Sequence, residues 1–147
     1  MASTFICFSY PTLLRENLVT NDIYPPEPLI TNIDTKTRYT LIITAAICLA
    51  EDIITTAEID ILFNNKSIIH ENNDIPGKCE NFYIKKSSMG ETIYISSMFV
   101  NNIKFTHSGV HSIIVKIYKN DSERNKEMEL LDVNHSKFMV SISHGDD

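Results

Sequence analysis

Four stretches of this chain alternate, residue by residue, between an apolar side and a more polar one. That period constrains the backbone more than any other feature of the sequence. In 57–63, Ile59, Ile61 and Phe63 share one side and Glu58 and Asp60 the other. In 112–118, Ile113, Val115 and Ile117 stand against Ile114, Lys116 and Tyr118. In 137–143, Phe138, Val140 and Ile142 alternate with Met139 and Ser141, and in 91–97, Ile93 and Ile95 alternate with Thr92, Tyr94 and Ser96. Successive strand side chains point to opposite faces, so period two with one apolar face marks a half-buried strand. The dominant apolar residue is isoleucine, backed by Val, Phe, Tyr and Thr, whose stiff side chains fit a pleated surface better than a helix.

The punctuation between these runs is that of turns. Asn64-Asn65-Lys66 reads as a tight hairpin into a strand over 67–71, because Asn tolerates positive φ. Asn72-Asn73-Asp74 and Pro76-Gly77 end that strand, 120–126 is a charged loop leading to a strand over 127–133, and Asn134-His135-Ser136 reads as a turn into the last strand. The run 40–50 is apolar or small on both faces. It is expected to be a central strand covered on both sides, by the chain itself or by a partner subunit, with a short helix over 45–52 as the competing reading. Pro25-Pro26-Glu27-Pro28 fixes an extended segment, expected to cross between sheets or to lie at an edge. Leu13, Leu14, Leu18 and Val19 fit a helical turn or a strand. The expectation is one all-β domain over 1–143, a two-layer antiparallel β-sandwich of about seven to nine strands, immunoglobulin-like or jelly-roll-like, with 144–147 as a short tail.

Charge removes several function classes. The 147 residues carry 13 Lys and Arg against 19 Asp and Glu, a net charge of −6. The basic residues are scattered, and Lys85-Lys86 is the nearest thing to a cluster, so binding to nucleic acid or to an anionic membrane surface is disfavoured. A basic protein partner remains compatible, since opposite fields steer association. Cys7, Cys48 and Cys79 are odd in number and form no C-x-x-C pair, which points to reduced thiols and a cytosolic setting. The first ten residues lack the pattern of a signal peptide, and 41–50 is about half the length of a membrane span. The N-x-S sequons at Asn65, Asn120 and Asn134 are read as turn residues.

Chemistry-bearing motifs are sparse. The four glycines are not grouped, which excludes phosphate-binding loops, and no cofactor is expected. His107 and His111 flank Gly109, and His135 and His144 bracket the final strand, but their spacing does not by itself converge on a metal. Ser108 beside His107 is adjacency without a nucleophile elbow. Glu51-Asp52 and Glu58/Asp60 are carboxylate pairs, the second on the solvent face of a strand, where i and i+2 point the same way.

Between residues 92 and 142 the chain runs strand, Phe105, three residues, Gly109, strand, charged turn, strand, Phe138-Met139-Val140. This order resembles the closing hairpins of small bacterial and phage β-sandwich proteins, in which an F-x-x-x-G-x-[YH] step leads into a strand and an F-x-V strand ends the domain. A similar step occurs in many immunoglobulin-like domains, where an aromatic is usual at the place His111 holds. The resemblance implies a sandwich fold and brings no catalytic residues with it. An acidic accessory protein that blocks a host factor would suit the size and charge.

The functional expectation is a non-enzymatic interaction module, cytoplasmic, that recognises another protein or itself through a sheet face or an edge strand. The expected contact residues are Tyr94, Phe99, Ile114 and Tyr118, with Met98 and Val100 beside Phe99. One alternative is a small hydrolytic or metal-dependent enzyme using His107 and His111. Another is a ligand- or carbohydrate-binding groove with Tyr83, Tyr94 or Tyr118 as stacking platforms.

Overall fold

A computed structural model of the chain describes residues 4–16, 23–50, 55–69, 78–119 and 129–144. Among them run β1 (Phe5–Leu13), β2 (Leu29–Asp34), β3 (Tyr39–Ala50), β4 (Thr55–Phe63), β5 (Lys66–Ser67), β6 (Lys78–Lys86), β7 (Glu91–Ile103), β8 (Gly109–Lys119) and β9 (Glu129–His144). They form a four-stranded sheet, β1-β3-β7-β6, and a five-stranded sheet, β2-β9-β8-β4-β5, packed as a sandwich. The pairing β1-β3-β7-β6 against β9-β8-β4 is the ABED/GFC order of an immunoglobulin-type sandwich, which decides against the jelly-roll alternative. One pairing departs from the antiparallel expectation: β2 runs parallel to β9. The chain leaves β1 in one sheet and crosses to the far edge of the other, so no hairpin dictates the direction of β2. No helix among the described residues is long and apolar enough to cross a membrane.

The alternating runs bury one side each. Ile59 and Ile61 of β4, Ile113, Val115 and Ile117 of β8, and Phe138 and Val140 of β9 meet Leu41, Ile43, Ala45 and Ile47 of β3 in a single core. At the β4–β5 turn, Asn64 and Asn65 have φ of 52° and 63°, both positive, as a two-residue type I′ hairpin requires. The second strand of that hairpin stops at Ser67, shorter than expected. His111 is buried at the start of β8, and its Nδ1 lies 3.0 Å from the Gly109 carbonyl oxygen, where immunoglobulin domains carry a tyrosine bonded to upstream backbone.

β3 is a strand throughout, with no helix over its second half, and Leu41 to Cys48 are buried on both faces. Part of the outward cover comes from the segment after β1. Tyr24 meets Phe99 edge-on at 5.8 Å, with Ile42 beside them. The segment is tied down by Tyr10 Oη donating to the Tyr24 carbonyl (2.6 Å), Thr12 Oγ1 to that of Pro25 (2.6 Å), and Glu27 N–H to that of Pro11 (2.9 Å). The Pro-rich stretch is therefore an ordered crossing between sheets. Under the same face, Thr44 Oγ1 and Ser97 Oγ share a buried hydrogen bond of 2.6 Å. Thr44→Val strands the Ser97 hydroxyl away from water and is expected to cost about 1–3 kcal/mol in urea denaturation. The double variant Thr44→Val/Ser97→Ala is expected to recover part of that loss, because neither group is then left unsatisfied.

Two readings of the sequence are corrected. Asn134-His135-Ser136 is not a turn: β9 runs unbroken through it. The Ser9 hydroxyl on β1 bonds Asn134 Oδ1 at 2.7 Å and Ser136 Oγ at 2.9 Å, and Asp132 Oδ2 accepts the Ile6 N–H at 2.7 Å. These polar residues face inward and join the two layers, a task usually left to apolar side chains. The other correction concerns the phase of β7. Its register on β3 sets Thr92, Tyr94, Ser96 and Met98 opposite Leu49, Ile47, Ala45 and Ile43, facing the core, and turns Ile93 and Ile95 outward. The expected turn at 72–77, the loop at 120–126, Glu51, Asp52, Leu18, Val19 and the last three residues lie outside the described residues.

Candidate functional site

The outward face of the four-stranded sheet is the least expected surface of the molecule. On β1, Phe5, Phe8 and Tyr10 point away from the second layer, opposite Cys48, Ala46 and Thr44 of β3. A bulge after Ile6 absorbs Cys7, so Ile6 still enters the core while Phe5 and Phe8 both point out. β7 continues two of these rows with Ile95 beside Ala46 and Ile93 beside Cys48. None of these side chains is charged, but Lys85 of β6 continues the Phe5–Cys48–Ile93 row, and Glu91, opposite Ala50, lies beyond Ile93 on the same face. Phe5 and Phe8 are 43% and 45% exposed, and Phe8 stacks on Tyr10 at 6.1 Å. The solvent side of an antiparallel sheet is ordinarily polar, so an aromatic stretch with charge only at its border marks a contact surface. The edge beside it is occupied by the chain itself, through the bonds of Ile6, Pro11 and Leu13 to Asp132 and Glu27.

The four contact residues expected from the sequence are not brought together. Ile114 and Tyr118 stand outward on the five-stranded sheet, half-buried, in rows with Asp60 and His135 and with Thr56 and Leu130. Glu58, Lys116 and Lys137 share that face, which makes it mixed rather than apolar, although Leu29, Met139 and Val110 form one exposed row. Phe99 is buried under Tyr24, and Met98 and Val100 are buried in the core, so these three form no surface patch. Tyr94 faces inward between the layers. Phe5 and Phe8 escaped sequence reading because the bulge breaks the alternation that would have revealed them.

The histidine cluster does converge, but as packing. His107 stacks on Phe63 at 5.0 Å, and His111 contacts Phe63, Phe105 and Phe138 at 4.8, 5.6 and 5.4 Å. Burial holds the His111 imidazole below its usual pKa, against the Gly109 carbonyl that raises it, and His107 lowers it further. Ser108 Oγ accepts the Ile142 N–H at 3.0 Å, while His107 Nδ1 lies 2.8 Å from Thr106 Oγ1. Burial, then Glu91 and Cys7, push the Cys48 thiol up, which makes it a poor nucleophile. Asp60 Oδ1 is taken by the Ser67 hydroxyl (2.6 Å) and the Ile61 N–H (2.9 Å). Among the described residues no three His, Cys, Asp or Glu side chains gather as a metal-binding set.

A hollow of about 480 Å³ opens between the layers where β3 ends and β4 begins. Its described walls are Ile47, Leu49, Ile84, Tyr94, Met98 and Ala57, with Thr55, Thr56, Thr92 and Ser96 completing the lining. Tyr118 is not among them, and the side chain of Tyr83 lies outside the described residues.

No protein-family model matches this chain, and a search of curated proteins finds no relative.

Proposed function

We propose that the chain is a non-catalytic protein-interaction domain, and that a second copy packs on the outward face of its four-stranded sheet. The observation that carries this reading is the apolar patch in which Phe5 and Phe8 stand half-exposed beside the buried Ala46 and Cys48. The row Phe8–Ala46–Ile95 is large, small, large. A two-fold partner sets the large groups of one sheet over the small ones of the other, the interdigitation by which sheets pack face to face. The Phe8–Ala46–Ile95 row itself carries no charge, and homodimer interfaces are the more apolar class. Cys7 and Cys48 form no disulfide, in keeping with a cytoplasmic setting.

Light scattering across a concentration series tests this. The wild type is expected to run as a dimer, and Phe8→Glu to weaken the dimer about thirtyfold or more, as loss of a central anchor worth at least ~2 kcal/mol does. Met139→Glu, on the five-stranded sheet, is expected to leave it unchanged. A monomer at every concentration, or a dimer indifferent to Phe8→Glu, refutes the reading.

A further inference from the structure

We infer that the hollow between the layers is a binding site for a small, uncharged, largely apolar molecule with a hydrogen-bonding end. The phase of β7 carries the argument. It directs Thr92, Tyr94 and Ser96 inward and Ile93 and Ile95 outward, the reverse of what packing a core would select. The opposing wall on β4 offers Thr55 and Ala57, also small. The short side chains of Thr92 and Ser96 on one wall and of Thr55 and Ala57 on the other leave a hollow there, while Ile59, Ile61, Ile113 and Val115 are buried in the core beside it. Protein interiors are packed to crystal density, so an under-filled apolar end of the core is space for something else.

Volume and chemistry define the occupant. About 480 Å³ falls within the ~300–1,000 Å³ range of small-molecule sites. No described wall residue is charged, which disfavours ions, phosphates and carboxylates, whose desolvation no described wall residue would offset. The walls are mainly hydrocarbon, and the hydroxyls of Thr55 and Thr92, on opposing walls, supply the bonds a single polar end requires. At the rim, Ile84 is 70% exposed, an apolar side chain that a bound molecule would cover. Water in such a space is poorly bonded and readily displaced by an apolar body.

Nile red, a neutral dye that brightens and shifts to the blue in apolar surroundings, is the probe. The full chain is expected to bind it saturably, one per protomer. Ala57→Phe, which fills the space from β4, is expected to weaken binding at least tenfold without lowering the thermal midpoint. Thr92→Leu, which fills it from β7, decides the matter if Ala57→Phe does not fold. Phe8→Glu removes the outer aromatic patch and is expected to leave dye binding intact, which separates this site from the interface between copies. Absence of saturable binding, binding that survives a folded filled variant, or binding lost with Phe8→Glu overturns the inference.

Discussion

Phe105→Ala is expected to cost about 3–5 kcal/mol, the range for deleting a fully buried aromatic ring. Phe105 has no exposed surface, lies 6.1 Å from the Tyr39 ring and meets the His111 ring edge-on at 5.6 Å. It sits in the connection between β7 and β8, at one end of the sandwich. Its loss removes a large apolar body and leaves a cavity that rigid strands on both sides cannot close. Domains of this size carry about 5–15 kcal/mol of net stability, so the variant is brought near its folding threshold. Urea denaturation followed by tyrosine fluorescence measures the change. Phe105→Leu, which keeps most of the volume, is expected to lose markedly less. A Phe105→Ala loss under about 1 kcal/mol means that this end of the core is not packed as described.

His111 is expected to make the fold sensitive to acid and to truncation. The residue is 1% exposed, and its ring is in contact with Phe63, Phe105 and Phe138. His111→Ala removes those contacts and is expected to cost about 2–5 kcal/mol, as large-to-small core changes do. Because burial lowers the folded-state pKa, the unfolded chain binds the proton more readily in the window below about 6.5. Stability is therefore at its full value above that pH and falls as the pH drops towards the lowered folded value. Urea midpoints measured from pH 8 to pH 5 follow this slope. His111→Phe keeps an aromatic ring in place without a titrating group, and is expected to flatten the part of the slope that His111 supplies. If wild type and His111→Phe lose stability in parallel on acidification, the proton is not being excluded by this pocket.

These two side chains also show how far sequence reasoning reaches. Phe105, Gly109 and His111 were legible as a step into a strand, with His111 in an aromatic's place. That both histidines would meet on the Phe63 ring was not legible, because it depends on β4 and β8 pairing in one register, with Phe63 opposite His111. The proposed contact surface shows the same limit. Ile114 and Tyr118 were placed on an outward face by alternation alone, and they lie on one. Tyr94 was placed on the wrong side, because an alternating strand has two faces and local sequence does not say which is inner when the more apolar residues, Ile93 and Ile95, are turned out.

The amino-acid order alone determined that this chain is extended and where its Asn64-Asn65 hairpin bends, and it offered two covered faces for β3 as one of two readings. Those properties are local: φ/ψ preference, side-chain period and turn chemistry act over a few residues. Tertiary structure alone decided the parallel seat of β2, the polar joint of Ser9 with Asn134 and Ser136, the aromatic outer face of β1 and the hollow beneath β7. Each of these rests on register between strands distant in sequence. A shift of one residue exchanges every inward side chain for an outward one, so only the neighbouring strand can set which face is buried.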